Sequence, residues 1–223
     1  DYAEIFAITR KTIINDDLSG ITRKVRGWGR AAHRTLARFL WNFYLNNATY
    51  DGDGVAWFAG GHGNLQSTAI SAAEIVTAII ALMDMTEPNS GEKLGLDEDM
   101  KRRLTLVVPH GLWATAKKIN EAQYLDSNLT PNAVYQVFGV SSERIVSLAL
   151  ETDVNNWGIL CDPSDRDILE VKFLNGQTEP EIFLADNPLV GEMFYADKLV
   201  YKIRHEYGAE LLDHRNAVKA VVA

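Results

Sequence analysis

The stretch that decides the architecture is Ile21–Leu45, ITRKVRGWGRAAHRTLARFLWNFYL. An α-helix turns about 100° per residue, and on that wheel Val25, Trp28, Ala32, Leu36, Phe39, Leu40 and Phe43 share one face. Arg26, Arg30, Arg34 and Arg38 recur four apart on the opposite face. The pattern predicts a long amphipathic helix with an aromatic-rich buried side and an arginine stripe. No Asp or Glu stands between Leu18 and Tyr50, so the arginines lack i,i+4 carboxylates on their own helix. Their charge is met by solvent, by another segment or by another chain. Two uses fit the spacing. Guanidinium groups in a row can track a nucleic-acid backbone, or fork onto the carboxylates of a neighbouring subunit.

Upstream of the helix, Tyr2, Glu4, Phe6 and Ile8 alternate with Ala3, Ile5 and Ala7, a β-like run rich in aromatic and β-branched residues. The chain opens inside this pattern without a Met, as a processed protein or a fragment would. Asn15-Asp16-Asp17-Leu18-Ser19-Gly20 is a turn and helix-start cluster, since short polar side chains cap free backbone N–H groups. Downstream, Asn46-Asn47 and Asp51-Gly52-Asp53-Gly54 end the helix in a turn. Val55–Phe58 reads as a short strand before the loop 59–65.

A second helix is expected over Ser71–Met85, with Ile75, Ile79 and Leu82 facing inward. Residues 87–91 break it, and the charged run 92–103 reads as an exposed connection. Leu104–Val108 is a fully apolar strand stopped by Pro109-His110-Gly111, with a helix from about Leu112 to Glu121. Residues 126–132 are polar. Further strands are expected at Arg144–Glu151, Trp157–Leu160, Ile168–Phe173 and Lys198–His205, with Asn175-Gly176 as a turn. A final segment, 208–223, ends in an apolar Val-Val-Ala. The class is mixed α+β.

Composition sets the outer limits. The 223 residues are 47% hydrophobic and 23% charged, an ordinary globular balance that excludes disordered and collagen-like classes. The longest apolar runs, such as Ile79–Met83, fall far short of the roughly 20 residues a membrane span needs. Net charge is −8, which argues against tight nucleic-acid binding by the chain as a whole. Residues 1–50 carry +4 and the remainder −12, a split suited to a basic element of one copy meeting acidic surface of another. Cys161 is the sole cysteine and has no activating base in its neighbourhood, so it reads as a small buried apolar residue.

No Gly-x-Ser-x-Gly elbow, Walker loop or His-Glu-x-x-His occurs. Asp51-Gly52-Asp53-Gly54 has the look of a calcium loop, but Gly63, not Glu, stands near the expected end. His33, His62, His110, His205 and His214 are scattered singly, with no pair at helical ligand spacing. His62 between glycines reads as a loop residue held by local hydrogen bonds. No catalytic residue, cofactor or metal is expected.

Several stretches resemble one family in order along the chain. Residues 8–18, ITRKTIINDDL, followed by the Arg-spaced helix, are similar to the major head subunits of Mu-like tailed phages. So are residues 57–65, WFAGGHGNL, and Leu94-Gly95-Leu96 ahead of Leu106-Val107-Val108-Pro109. Val171–Gln177 and Lys202–Gly208 complete the series. The resemblance implies the Hong Kong 97-type capsid fold. In that fold residues 1–65 form a peripheral lobe with the second strand of an extended loop and a spine helix. Residues of roughly 66–160 form an axial lobe, and 161–223 return to the peripheral strands. It implies a non-enzymatic major capsid protein, in pentamers and hexamers, enclosing double-stranded DNA in a virion assembled in the bacterial cytoplasm. Portal, scaffold or decoration proteins are its further expected partners, and the arginine stripe faces a neighbour or the DNA. The alternatives are an encapsulin-like compartment subunit, or a cytosolic enzyme using His62 or His110.

Overall fold

The computed structural model describes residues 2–9, 11, 18–126 and 129–222. Strand β1 (Tyr2–Thr9) precedes the long helix α1 (Leu18–Leu45). Three two-residue strands follow, β2 (Thr49–Tyr50), β3 (Val55–Ala56) and β4 (Leu65–Gln66), and then α2 (Ala72–Asp84). The middle of the chain holds α3 (Glu98–Arg102), β5 (Thr105–Val108), α4 (Trp113–Glu121), β6 (Ile145–Ser147) and β7 (Trp157–Leu160). Next come β8 (Leu169–Phe173), β9 (Glu181–Ala185) and α5 (Gly191–Ala196). The chain closes with β10 (Lys198–His205), β11 (Tyr207–Leu211) and β12 (Ala217–Ala220). These elements fall into two compact units, Asp1–Leu40 with Val171–Glu210, and Trp41–Glu170 with Leu211–Ala223.

The first unit is built on an antiparallel sheet in the order β1-β10-β9, with Tyr2 opposite His205 and Thr9 opposite Lys198. The alternation in β1 selects one covered face, on which Ile8 is buried while Ile5 on the other face is exposed. Aromatic rings join helix and strands. Phe6 meets the buried Trp28 of α1 edge-on at 6.2 Å, and Tyr2 stacks on Tyr207 at 5.2 Å, with Phe39 tilted against Tyr207 at 5.3 Å. The helical face expected from the sequence is the one that packs: Ala32, Leu36, Phe39 and Leu40 are all partly covered. The Val25 side chain lies outside the described residues. So do residues 15–17 of the turn cluster at 15–20, whose last residues, Leu18–Gly20, already belong to α1.

The second unit has a five-stranded mixed sheet, β4-β12-β7-β5-β6. Both of its faces are covered. Leu106 and Val108 of β5 point into one cluster with Ile75, Leu82, Trp157, Ile159 and Val218. Val107, between them, points into another with Tyr44, Trp57, Phe58 and Leu148. A strand buried on both sides reads as a continuous apolar run, which is why Leu104–Val108 is so plain in the sequence. Helix α2 starts where Ser71 Oγ accepts the Glu74 N–H at 3.2 Å. At its other end the Arg166 guanidinium donates to the Leu82, Gly95 and Arg215 carbonyls at 3.1, 2.6 and 2.8 Å. One cation thereby satisfies a carbonyl in the last turn of α2 and two loop carbonyls.

Three expectations need correction. The connection 92–103 is not all irregular: Asp97 accepts the Met100 N–H at 2.7 Å and starts α3. The strand expected over Arg144–Glu151 is only Ile145–Ser147, because Leu148 N–H makes the last bond to Val108 O and the chain then turns away. Beyond Phe173, β9, α5, β11 and β12 were not foreseen.

Candidate functional site

Helix α1 presents the four arginines as expected. Arg26, Arg30, Arg34 and Arg38 are all exposed, and among the described residues none of them makes a salt bridge. The nearby cations behave differently: Lys24 lies 4.0 Å from Glu4, and His33 lies 4.0 Å from Glu179. The stripe is therefore a row of four guanidinium groups, each about one helical turn from the next, with no carboxylate of the described chain to answer it. It can accept carboxylates or phosphates from outside.

A second cluster lies in the other unit. The turn 51–54 is held by Gly54 at φ 73° and by Asp53 Oδ1 accepting the Val55 N–H at 2.8 Å. That bond, and then the His62 ring, hold the Asp53 carboxyl below the usual carboxylate range. Trp57 O accepts from Asn64 Nδ2 at 2.7 Å and from His62 Nδ1 at 3.0 Å. A carbonyl only accepts, so hydrogen bonding assigns the Nδ1 proton to His62. The opposite nitrogen, Nε2, stands 2.8 Å from Asp53 Oδ2.

His214 completes the group. Its ring stacks on His62 with centroids 3.8 Å apart, and the fully buried Asn64 ties the two loops by donating to His214 O at 3.0 Å. Burial, followed by the coulombic effects of His62 and Arg215, lowers the His214 pKa. The sequence reading treated the histidines as isolated. Folding brings together two of them that are 152 positions apart, and nothing local in the sequence signals it. His110 stands elsewhere, exposed, with Nδ1 against Ser147 Oγ. The description of His62 as held by local hydrogen bonds agrees with the bonds to Trp57 and Asp53, and Cys161 is buried, with its thiol pushed up to about 11.

Comparison with known proteins fixes the class. The model of one family, described as phage capsid protein, matches residues 1–220. The chain belongs to the phage capsid protein family. It is a structural major capsid protein, and its place is the virion capsid, an assembly of many such subunits. Among solved structures, a chain from Mycobacterium phage Patience is similar with a TM-score of 0.63 at 10% identity, over 100% of this chain and 68% of that one. The capsid of the native GTA particle gives a TM-score of 0.55 at 9% identity, over 100% and 72%. The capsid of Staphylococcus phage Andhra gives 0.55 at 9%, over 100% and 70%. No curated protein matches in sequence. Among the described residues no helix is long and apolar enough to cross a membrane.

Proposed function

We propose that this chain is a Hong Kong 97-type subunit, akin to the head proteins of Mu-like phages. As pentamers and hexamers it closes an icosahedral head around double-stranded phage DNA. The observation that carries the reading is the capsid-family match across residues 1–220, joined by likeness of fold over the whole chain at identities near one in ten. In this reading α1 is the spine helix of a peripheral lobe formed by residues 1–65 and 161–223, and residues 66–160 form the axial lobe. The subunit catalyses no reaction. It assembles in the host cytoplasm and meets portal, scaffold or decoration proteins there.

Arg26, Arg30, Arg34 and Arg38 are assigned to contacts outside their own chain. Support comes from their exposure and from the want of a carboxylate partner among the described residues. A buried or bidentate pair with a neighbour's carboxylates would orient the subunit, since the guanidinium fork fixes geometry as well as charge. The test is replacement of all four by Ala. Each substitution is on an exposed helix face, where the effect on stability stays within about 0.5 kcal/mol. The variant is expected to fold with unchanged circular dichroism and to give few or no particles by electron microscopy. Shells that form but retain DNA poorly, with a weakened salt dependence, would move the arginines to the DNA side. Normal DNA-filled particles would remove their role. Cargo protein in place of nucleic acid inside purified particles would point instead to an encapsulin-like compartment.

A further inference from the structure

We infer that Asp53, His62 and His214 form a site for a divalent transition-metal ion, zinc by the chemistry of the donors. Three features of geometry lead there. Each residue offers one ligand atom, and the three atoms lie within 4.8 Å of one another. His62 has the orientation of a metal ligand. Its Nδ1–H is spent on a backbone carbonyl, Trp57 O at 3.0 Å, which leaves the Nε2 lone pair to face Asp53 Oδ2 at 2.8 Å. Nε2 and Oδ2 at that separation share a proton in a hydrogen bond, and a metal ion would displace that proton. His214 supplies the independent indication. It is 8% exposed, and its Nδ1 is buried without a hydrogen-bond partner among the described residues.

Two imidazoles and one carboxylate make a borderline donor set that suits zinc better than calcium or magnesium, which take oxygen ligands. Four ligands about 2.1 Å from zinc are about 3.4 Å apart. At 2.8 Å the His62–Asp53 pair is closer than that and would open by about 0.6 Å to admit the ion, and the His214 ligand atom lies within 4.8 Å of both. His62 and His214 line a cleft of about 560 Å³ together with Asp84, Thr86 and Arg215, which would give an ion its path. Arg215 does not oppose the ion with a bare charge, because its guanidinium is paired to Asp213 at 2.8 Å and bonded to Thr86 O at 2.8 Å. The ion would join the turn 51–54 and the loop at 62 to the segment at 214, which are distant in sequence and meet in one unit.

The experiment is calorimetric titration of zinc into the full-length protein after chelator treatment, with thermal melting as the second readout and cobalt as a visible-spectrum probe. The expected result is one ion per chain, a higher melting temperature with zinc, and visible ligand-field bands from cobalt. Asp53→Asn and His214→Gln should each weaken zinc binding at least about tenfold, the lower end of what even an indirect contact to a metal site costs. His110→Gln should leave it unchanged. Asp53 is exposed, so its variant decides the matter even if His214→Gln fails to fold. No saturable zinc binding by the wild type, or equal affinity in Asp53→Asn and His110→Gln, would show that a proton alone bridges His62 and Asp53, and would overturn the site.

Discussion

The Lys219→Met substitution puts the second unit's packing to a quantitative test. Lys219 lies on β12 and is 4% exposed. By the two-residue alternation of a strand it faces the same side as Ala217, where the aromatic cluster of Tyr44 and Phe58 lies. Its ammonium donates to Tyr44 O at 3.1 Å, sits 4.5 Å from the Tyr44 ring centroid, and has Glu151 Oε2 3.7 Å away. Met fills the space but leaves the Glu151 carboxylate buried without its counter-charge, which costs about 3–5 kcal/mol. For a chain of this size 1 kcal/mol moves the midpoint by about 2–4 °C, so melting should fall by about 6–20 °C. Replacing both charges, Lys219→Met with Glu151→Leu, should recover most of the loss, because a buried pair and an apolar pair are close in energy.

The same lysine has a signature in pH. Burial lowers the Lys219 pKa, with Glu151 opposing. Between the folded value and the ordinary lysine value the unfolded chain binds more protons, so wild-type stability gains from this group as pH rises through that window. Lys219→Met lacks the gain. Denaturant melts of the unassembled subunit at neutral and alkaline pH measure both effects. A single substitution costing under about 1 kcal/mol, or a double variant as unstable as the single one, would refute the reasoning.

Other substitutions probe other parts. Asn64→Leu leaves the Ala59 N–H and the His214 carbonyl without their partners, and at about 1–3 kcal/mol for each the loss should be about 2–6 kcal/mol by denaturant melts. Gly158→Ala sets a methyl group 2.8 Å from Val218 O within the sheet and against the Tyr44 hydroxyl, so about 1–3 kcal/mol should be lost to overpacking. Cys161, buried and with its thiol raised to about 11, should resist a thiol reagent at pH 8 in the native chain and react fully in denaturant; rapid native labelling would contradict its placement.

The elements most legible in the sequence are those whose burial is one-sided and periodic, or complete. Helix α1 shows the first, with Trp28 buried and Arg26 and Arg30 exposed. Strands β5 and β7 show the second: Leu106, Val107 and Val108 are covered on both faces and permit no other reading. Strand β9 was missed because Ile182, Phe183 and Leu184 are all exposed, so no alternation marks a buried side. Helix α3 carried its cap, Asp97, in plain view, but five charged residues among 97–102 look like a solvated link when no apolar stripe accompanies them. The arginine stripe was visible as a pattern because it is local to one helix. The Asp53–His62–His214 group was not, since it depends on β12 returning beside β4 in parallel, with Lys219 opposite Leu65. Long-range pairing of that kind leaves no mark at any fixed spacing.

The central claim is that the chain builds a shell from copies of itself, and the most direct measurement is imaging of the full-length protein after expression, with sedimentation of the same sample. Closed particles of uniform size, with this chain as their principal component, are the predicted result. A soluble monomer or small oligomer that never forms shells under any assembly condition would contradict it.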